Sequence, residues 1–199
     1  SMQTAIIGTE QIGEAIAKKI VKAGHSVLLT NNKGAASLKE KAAHIGGLAI
    51  PADLKDIVNA DVLFLTVRWS QLKQVAKDVP NLEGKILVDV TNPILDDKSY
   101  DDLKGKAASE IVQELFPKTR VVKTLNHYFL KWIDANPKVD DGKRIAFVSG
   151  DDTGAKNTIA NLLKEFGFKP IDLGDLAIGS KLYQAGGPLA ALNVMSHPV

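Results

Sequence analysis

The residues best placed to do chemistry stand near the start of the chain. Gly8 and Gly13 bracket Thr9, Glu10, Gln11 and Ile12. A short apolar run, Thr4 to Ile7, comes before them, and a helical period of Ile12, Ile16 and Ile20 follows. Strand, glycine turn and helix form the setting of the G-x-G-x-x-G dinucleotide fingerprint. Gly8 takes the first position, where the turn is tight, and Gly13 the third, where helix and strand pack closely. The second position, where backbone approaches a pyrophosphate, holds Glu10. A carboxylate there crowds and repels phosphates unless it turns to solvent. The N–H groups opening the helix remain available to an anion in either case. The plain alternative is a tight turn that holds no ligand.

A second diagnostic position is the end of the next strand, Val27 to Leu29. An NAD site places a carboxylate there for the ribose 2′-hydroxyl. This chain has Thr30, Asn31, Asn32, Lys33 and Gly34 instead. Asn32 can donate to a phosphate and Lys33 brings a compensating charge, so the pattern favours a 2′-phosphate and hence NADP. An Asn-Lys-Gly surface turn is the competing reading.

Further candidates follow the later strands. Arg68 and Trp69 come after the strand 62–65. The indole offers an apolar wall and the guanidinium a counter-charge; alternatively Trp69 packs the next helix and Arg68 pairs at the surface. Of the four histidines, only His127 falls in a loop at the catalytic end of the sheet. It could donate to a substrate carbonyl or act as an acid, or simply bond to backbone. His25 lies at the opposite end, His44 ends a helix and His197 is in the tail. No histidine pair has metal spacing. Asp140 and Asp141, and Asp151 and Asp152, read as turn residues, with Asp152 or Thr153 as a helix cap. No metal site is expected.

These positions need a scaffold, and the rest of the sequence supplies one. Helical patterns at 12–23, 36–44, 53–58, 70–78, 107–115, 128–134 and 153–166 alternate with apolar runs. The runs lie at 4–7, 27–29, 48–50, 62–65, 85–90, 119–122, 143–148 and 168–171. They lack polar alternation, as strands covered by helices on both faces do. The predicted fold is α/β: a doubly wound, mostly parallel sheet of eight strands, Rossmann-like, in one domain over residues 2–199. Pro170 marks its strand as an edge. Asn92 to Gly105 is the longest irregular connection. The segment 174–199 is glycine-, alanine- and leucine-rich with no clear strand.

The chain has 199 residues, 45% hydrophobic and 24% charged, with 25 Lys plus Arg against 23 Asp plus Glu. At this size folding buries about 70% of the surface of the unfolded chain, enough for a core without cross-links. A net charge of +2 with no basic stripe argues against nucleic-acid binding. No cysteine is present, which excludes disulfides, thiolate metal sites and a cysteine nucleophile. No apolar run is long enough for a membrane span, and the start lacks the basic region of a signal peptide. Ser1 ahead of Met2 reads as a scar of tag removal, and a cytoplasmic location is expected.

Taken together, several segments make the chain resemble a known family. They are Ile6 to Gly13, Ala23 to Val27, Asn31 to Gly34, Val88 to Pro93, Val121 to Asn126 and Gly150 to Asp152. The later ones are Leu162 to Gly174 and Gly186 to Ala190. The chain is identified as a member of the NADP oxidoreductases typified by the coenzyme F-420-dependent enzyme, over residues 4–194. That family's typical reaction moves hydride between NADP(H) and an 8-hydroxy-5-deazaflavin. The resemblance implies that the phosphate turn falls on Gly8, Thr9, Glu10, Gln11, Ile12 and Gly13. It puts the family's Ser-Arg pair around the 2′-phosphate on Asn32 and Lys33, with Asn31 beside them as a further cofactor contact. The region under the nicotinamide falls on Thr66, Val67, Arg68 and Trp69, and the turn beside the crevice on Thr91, Asn92 and Pro93. It also implies that 186–190 lies near the crevice and a subunit contact. His127 and Trp69 are the catalytic candidates.

The expected function is an NADPH-dependent oxidoreductase with a deazaflavin, flavin or other small acceptor, working as a homodimer. The alternative is a non-catalytic NADP(H)-binding or sensing module that docks on a partner protein.

Overall fold

The structure, a computed structural model, describes residues 1–199. The chain opens with β1 (Gln3–Ile7), α1 (Gln11–Lys22), β2 (Ser26–Thr30), α2 (Lys39–Ile45), β3 (Ala49–Pro51) and β4 (Val62–Leu65). Next come α3 (Leu72–Asp78), β5 (Ile86–Asp89), α4 (Ala108–Leu115), β6 (Arg120–Lys123) and α5 (Leu130–Asp134). The last elements are β7 (Lys138–Val139), β8 (Gly142–Gly150), α6 (Thr153–Phe166), β9 (Lys169–Asp172) and β10 (Met195–Ser196). Short 3-10 turns at Ala35–Leu38, Leu54–Asn59 and Trp69–Gln71 lead out of strands on the ligand-facing side.

All ten strands belong to one sheet, in the order β10-β8-β6-β5-β4-β1-β2-β3, with β7 and β9 on the outer edge of β8. The pairs β1–β2, β2–β3, β1–β4, β4–β5 and β5–β6 are parallel. β8 then runs antiparallel to β6, which ends the parallel winding. The expected doubly wound, mostly parallel Rossmann-like fold is the one observed. Its central strands β4 and β5 are buried along their whole length and apolar but for Asp89, because helices cover both faces. On one face Ile16 and Ile20 of α1, Ala42 of α2 and Ile159, Leu162 and Phe166 of α6 cover the sheet. On the other, Leu72 of α3 and Ala108 and Val112 of α4 do so.

The sequence pattern predicts eight strands; the two extra ones, β7 and β10, are two residues each. Neither is long enough to show a period of two, and both exist through pairing with the nine-residue β8. The tail therefore does contain a strand. Its apolar residues are largely claimed by the chain itself, since Leu189 and Val194 pack against Ile145, Phe147 and Tyr183. Pro170 sits on the edge strand β9, paired only with β8. Asp152 caps α6, its Oδ1 accepting from Ala155 N at 2.7 Å. No helix is long and apolar enough to cross a membrane.

Candidate functional site: a groove across the ends of the parallel strands

The winding reverses between β1 and β4, which lie side by side while their chain neighbours lead in opposite directions. A doubly wound sheet binds ligands in the crevice outside the carboxyl ends of the strands at such a point. The Gly8–Gly13 turn crosses it. Gly8 has φ +92°, and a Cβ there would stand 2.6 Å from Val67 Cγ1. A Cβ on Gly13 would stand 2.8 Å from Gly8 O and from Ile6 Cγ2, and 2.9 Å from Thr66 Oγ1. Both glycines are therefore required by close packing, whatever the turn holds.

The turn is pinned from behind. Thr30 O accepts from Gly8 N, Thr9 N and Thr9 Oγ1 at 3.2, 2.9 and 3.0 Å. Gly8 O accepts from Glu10 N at 2.9 Å and from Thr66 Oγ1 at 2.7 Å. The N–H groups of Gln11, Ile12 and Gly13, in the first turn of α1, have no partner in their own helix, and no side chain caps them. An anion would satisfy them. Glu10 has an exposed side chain and makes no capping bond, and it lines the cavities on both sides of the turn.

Two cavities flank this turn and share Glu10 and Val67. One, of about 480 Å³, is lined by Ile7, Gly8, Thr30, Asn31, Asn32 and Gly34 from the β1 and β2 ends and by Leu54, Ser70, Gln71, Gln74, Val75 and Asp78 opposite. The other, of about 400 Å³, is lined by Gln11, Ile12, Thr66, Arg68, Trp69, Val90, Thr91 and Asn92, with Ile94, Leu95, Asp96 and Lys98 from the loop after β5. Together they make a groove with the uncapped helix end at its middle.

The structure thus brings twelve of the sequence candidates to one groove: Gly8, Glu10, Gln11, Ile12, Asn31, Asn32, Thr66, Val67, Arg68, Trp69, Thr91 and Asn92. Their parts differ. The Asn31 carboxamide is engaged within its own turn, Oδ1 accepting from Lys33 N and Gly34 N and Nδ2 donating to Ser37 Oγ. Asn32 and Lys33 are exposed. The Asn92 side chain is also engaged: Nδ2 donates to Asn126 O, and Oδ1 accepts from Asn126 Nδ2 and Ala185 N. Trp69 satisfies both sequence readings. Its ring packs into the core under α3 and also lines the second cavity, while Nε1 donates to Asp101 Oδ2 at 2.8 Å.

Thr9, Gly13, Lys33 and Pro93 do not line the groove. Thr9 and Gly13 support the turn from below, and buried Pro93 accepts from Asp101 N through its carbonyl. His127 is a correction. Its loop is at the catalytic end of the sheet, but its ring points inward against Tyr128, Phe147 and Tyr183, with centroids 4.4, 5.1 and 5.4 Å away. The residue is 2% exposed and neither ring nitrogen has a hydrogen-bond partner. Burial, and after it the charge of Lys123, push its pKa down to about 3. A neutral ring sealed among aromatics does not serve as an acid in the groove.

The sequence reading missed Gln71 in the turn before α3, Gln74 and Asp78 on the polar side of α3, and Asp96 and Lys98 in the irregular loop. The only signal for these two was the length of that loop. It also missed Lys123 and Asp89, whose ion pair is fully buried behind Thr91.

A family model described as NADP oxidoreductase, coenzyme F420-dependent, matches residues 3–93, which run from β1 through the turn after β5. A hypothetical protein from Sinorhizobium meliloti has a solved structure 34% identical to this chain. Its TM-score is 0.91, with 98% of this chain and 96% of that one covered. A solved structure from Arthrobacter sp. FB24, described as a "putative f420 dependent nadp-reductase", is 27% identical with a TM-score of 0.76, covering 88% of this chain and 86% of that one. Among curated proteins, rat (Rattus norvegicus) metalloreductase STEAP3 is 29% identical over 176 residues, covering 88% of this chain and 34% of its own. The chain spans about a third of the length of the curated relatives it matches. Residues 3–93, which carry the glycine turn and most of the groove lining, thus match the family of NADP oxidoreductases described as coenzyme F420-dependent.

Proposed function

We propose that the protein is an NADP(H)-dependent oxidoreductase that passes hydride between the nicotinamide ring and a small acceptor, such as a deazaflavin or a flavin. The observation that carries this reading is the groove itself, two cavities joined at an uncapped helix N-terminus over the β1/β4 reversal. NADP(H) would bring the hydride chemistry, so the chain's share is binding, orientation and polarity. The N–H groups of Gln11, Ile12 and Gly13 would hold the pyrophosphate. Asn32 and Lys33 would hold the 2′-phosphate, since no carboxylate stands at the end of β2. Ile12, Val67, Val90 and Trp69 give the second cavity its apolar wall, while Arg68 and Lys98 supply cations at its rim. Glu10 and Asp96 line the same cavity, so the arrangement suits a flat ring with polar groups at its edge. Phe129 and Leu192, both exposed, fit the further reading that the protein works as a homodimer.

Calorimetric titration with NADPH and NADH tests the cofactor half. NADPH is expected to bind in the micromolar range and more tightly than NADH. Lys33→Ala is expected to remove roughly 1–3 kcal/mol of NADPH binding, the scale of a charge-assisted contact, and to spare NADH. Binding of neither nucleotide below about millimolar would sink the proposal. A second reading, a nucleotide-binding module without turnover, draws on the sealed position of His127. Failure to oxidise NADPH with any deazaflavin or flavin acceptor, despite tight binding, would favour it.

A further inference from the structure

We infer that Lys41, on α2, is a second cation of the 2′-phosphate site and a determinant of NADPH over NADH; this rests on the proposed cofactor reading. The sequence offers one cation at that site, Lys33, in place of a two-pronged arginine. Lys41 lies eight residues further along. Its position shows only in the fold, where α2 packs beside α1.

The Lys41 side chain runs from α2 to the phosphate turn, and Nζ donates to Thr9 O at 2.9 Å. Thr9 is the residue whose N and Oγ1 both bond to Thr30 O, the last residue of β2. The ammonium is thereby tied to the residue that bonds the carboxyl end of β2, although Lys41 lines neither cavity of the groove.

One hydrogen bond leaves two of the three ammonium hydrogens free. The nearest carboxylate is that of Glu14, whose Oε2 is 3.9 Å from Lys41 and whose Oε1 is 3.9 Å from Lys18, so it does not neutralise Lys41 alone. The Lys41 side chain is 32% exposed, open enough to meet a ligand and covered enough for its charge to count. Lys33 is less constrained: its side chain is exposed and only its backbone is tied, through Asn31 Oδ1. The pair would put one anchored and one free cation around the extra phosphate that separates NADPH from NADH.

The test is parallel calorimetry of NADPH and NADH on the wild type, Lys41→Met and Lys41→Arg, with the melting temperature of each ligand-free protein. Lys41→Met is expected to raise the Kd for NADPH by about tenfold and to leave that for NADH within about twofold. Lys41→Arg is expected to restore the preference for NADPH. An equal loss for both nucleotides, even with an unchanged melting temperature, would overturn the assignment, because Lys41 would then serve the turn and not the 2′-phosphate. So would no loss for either. If the wild type itself binds neither nucleotide, the cofactor reading falls and this inference with it.

Discussion

Lys123 Nζ and Asp89 Oδ2 lie 3.0 Å apart, and neither side chain is exposed to solvent. Both charges are bonded further. Asp89 accepts from Thr91 N, Thr91 Oγ1 and Ser109 Oγ, and Lys123 donates to Thr91 O. Burial pushes the pKa of Lys123 down, and Asp89 opposes that shift. The pair joins β5 to β6 directly behind the Thr91–Asn92 wall of the groove.

Removing one partner leaves a buried charge without compensation. Asp89→Asn or Lys123→Met is expected to cost about 3–5 kcal/mol in urea unfolding. The double variant is expected to recover part of that loss. Single variants within about 1 kcal/mol of wild type would show that the pair is not sealed from water.

Gly13→Ala places a methyl against backbone and a β-branched side chain at once. Gly8 O cannot withdraw without losing its bonds to Glu10 and Thr66. Overpacking of this kind costs roughly 1–3 kcal/mol. Nucleotide binding is expected to fall as well, because the turn must move. An unchanged melting temperature with unchanged NADPH affinity would contradict this packing.

His127 makes stability depend on pH. Its folded pKa is about 3 against an ordinary 6.5, so the unfolded chain takes up a proton first as pH falls. The stability from its neutral burial is fully present above pH 6.5. It drains away as pH drops toward 3. Between pH 7 and 5 the loss is about 2 kcal/mol, from roughly 1.5 units at 1.36 kcal/mol each. His127→Phe, measured by urea unfolding at both pH values, is expected to lack that increment. An equal pH dependence in both proteins would show that His127 is hydrated in the folded state.

Trp69→Phe keeps the apolar wall and deletes the bond to Asp101. The loss is expected to be about 1–2 kcal/mol. Faster amide exchange is expected to be confined to 94–101, since Asp101 also ties the loop to Pro93 O. Unchanged exchange there would mean that the loop is held by its other contacts, such as Ser70 to Asp96.

Much of the scaffold was legible because local rules and the final fold agree. Ile16 and Ile20 recur at helical spacing and both are fully buried. The uninterrupted apolar runs at 62–65 and 86–88 belong to central strands. The polar assignments at the site were less secure. Asn31 and Asn92 were read as ligand contacts by position, but both carboxamides are engaged within the protein. Leu125 takes φ +64° beside Asn126 and His127, a strained turn that no property of leucine announces.

The sequence by itself determined the glycine turn, the absence of a carboxylate after β2 and the alternation that builds a parallel sheet. Those are properties of residue type and spacing, which act over a few positions. Tertiary structure decided which polar groups meet. Asp89 pairs with Lys123 through strand register, Lys41 reaches Thr9 across two helices, and His127 turns toward Phe147 and Tyr183. Such contacts join residues that are distant in the chain, and their energies depend on burial and distance, which exist only once the chain has folded.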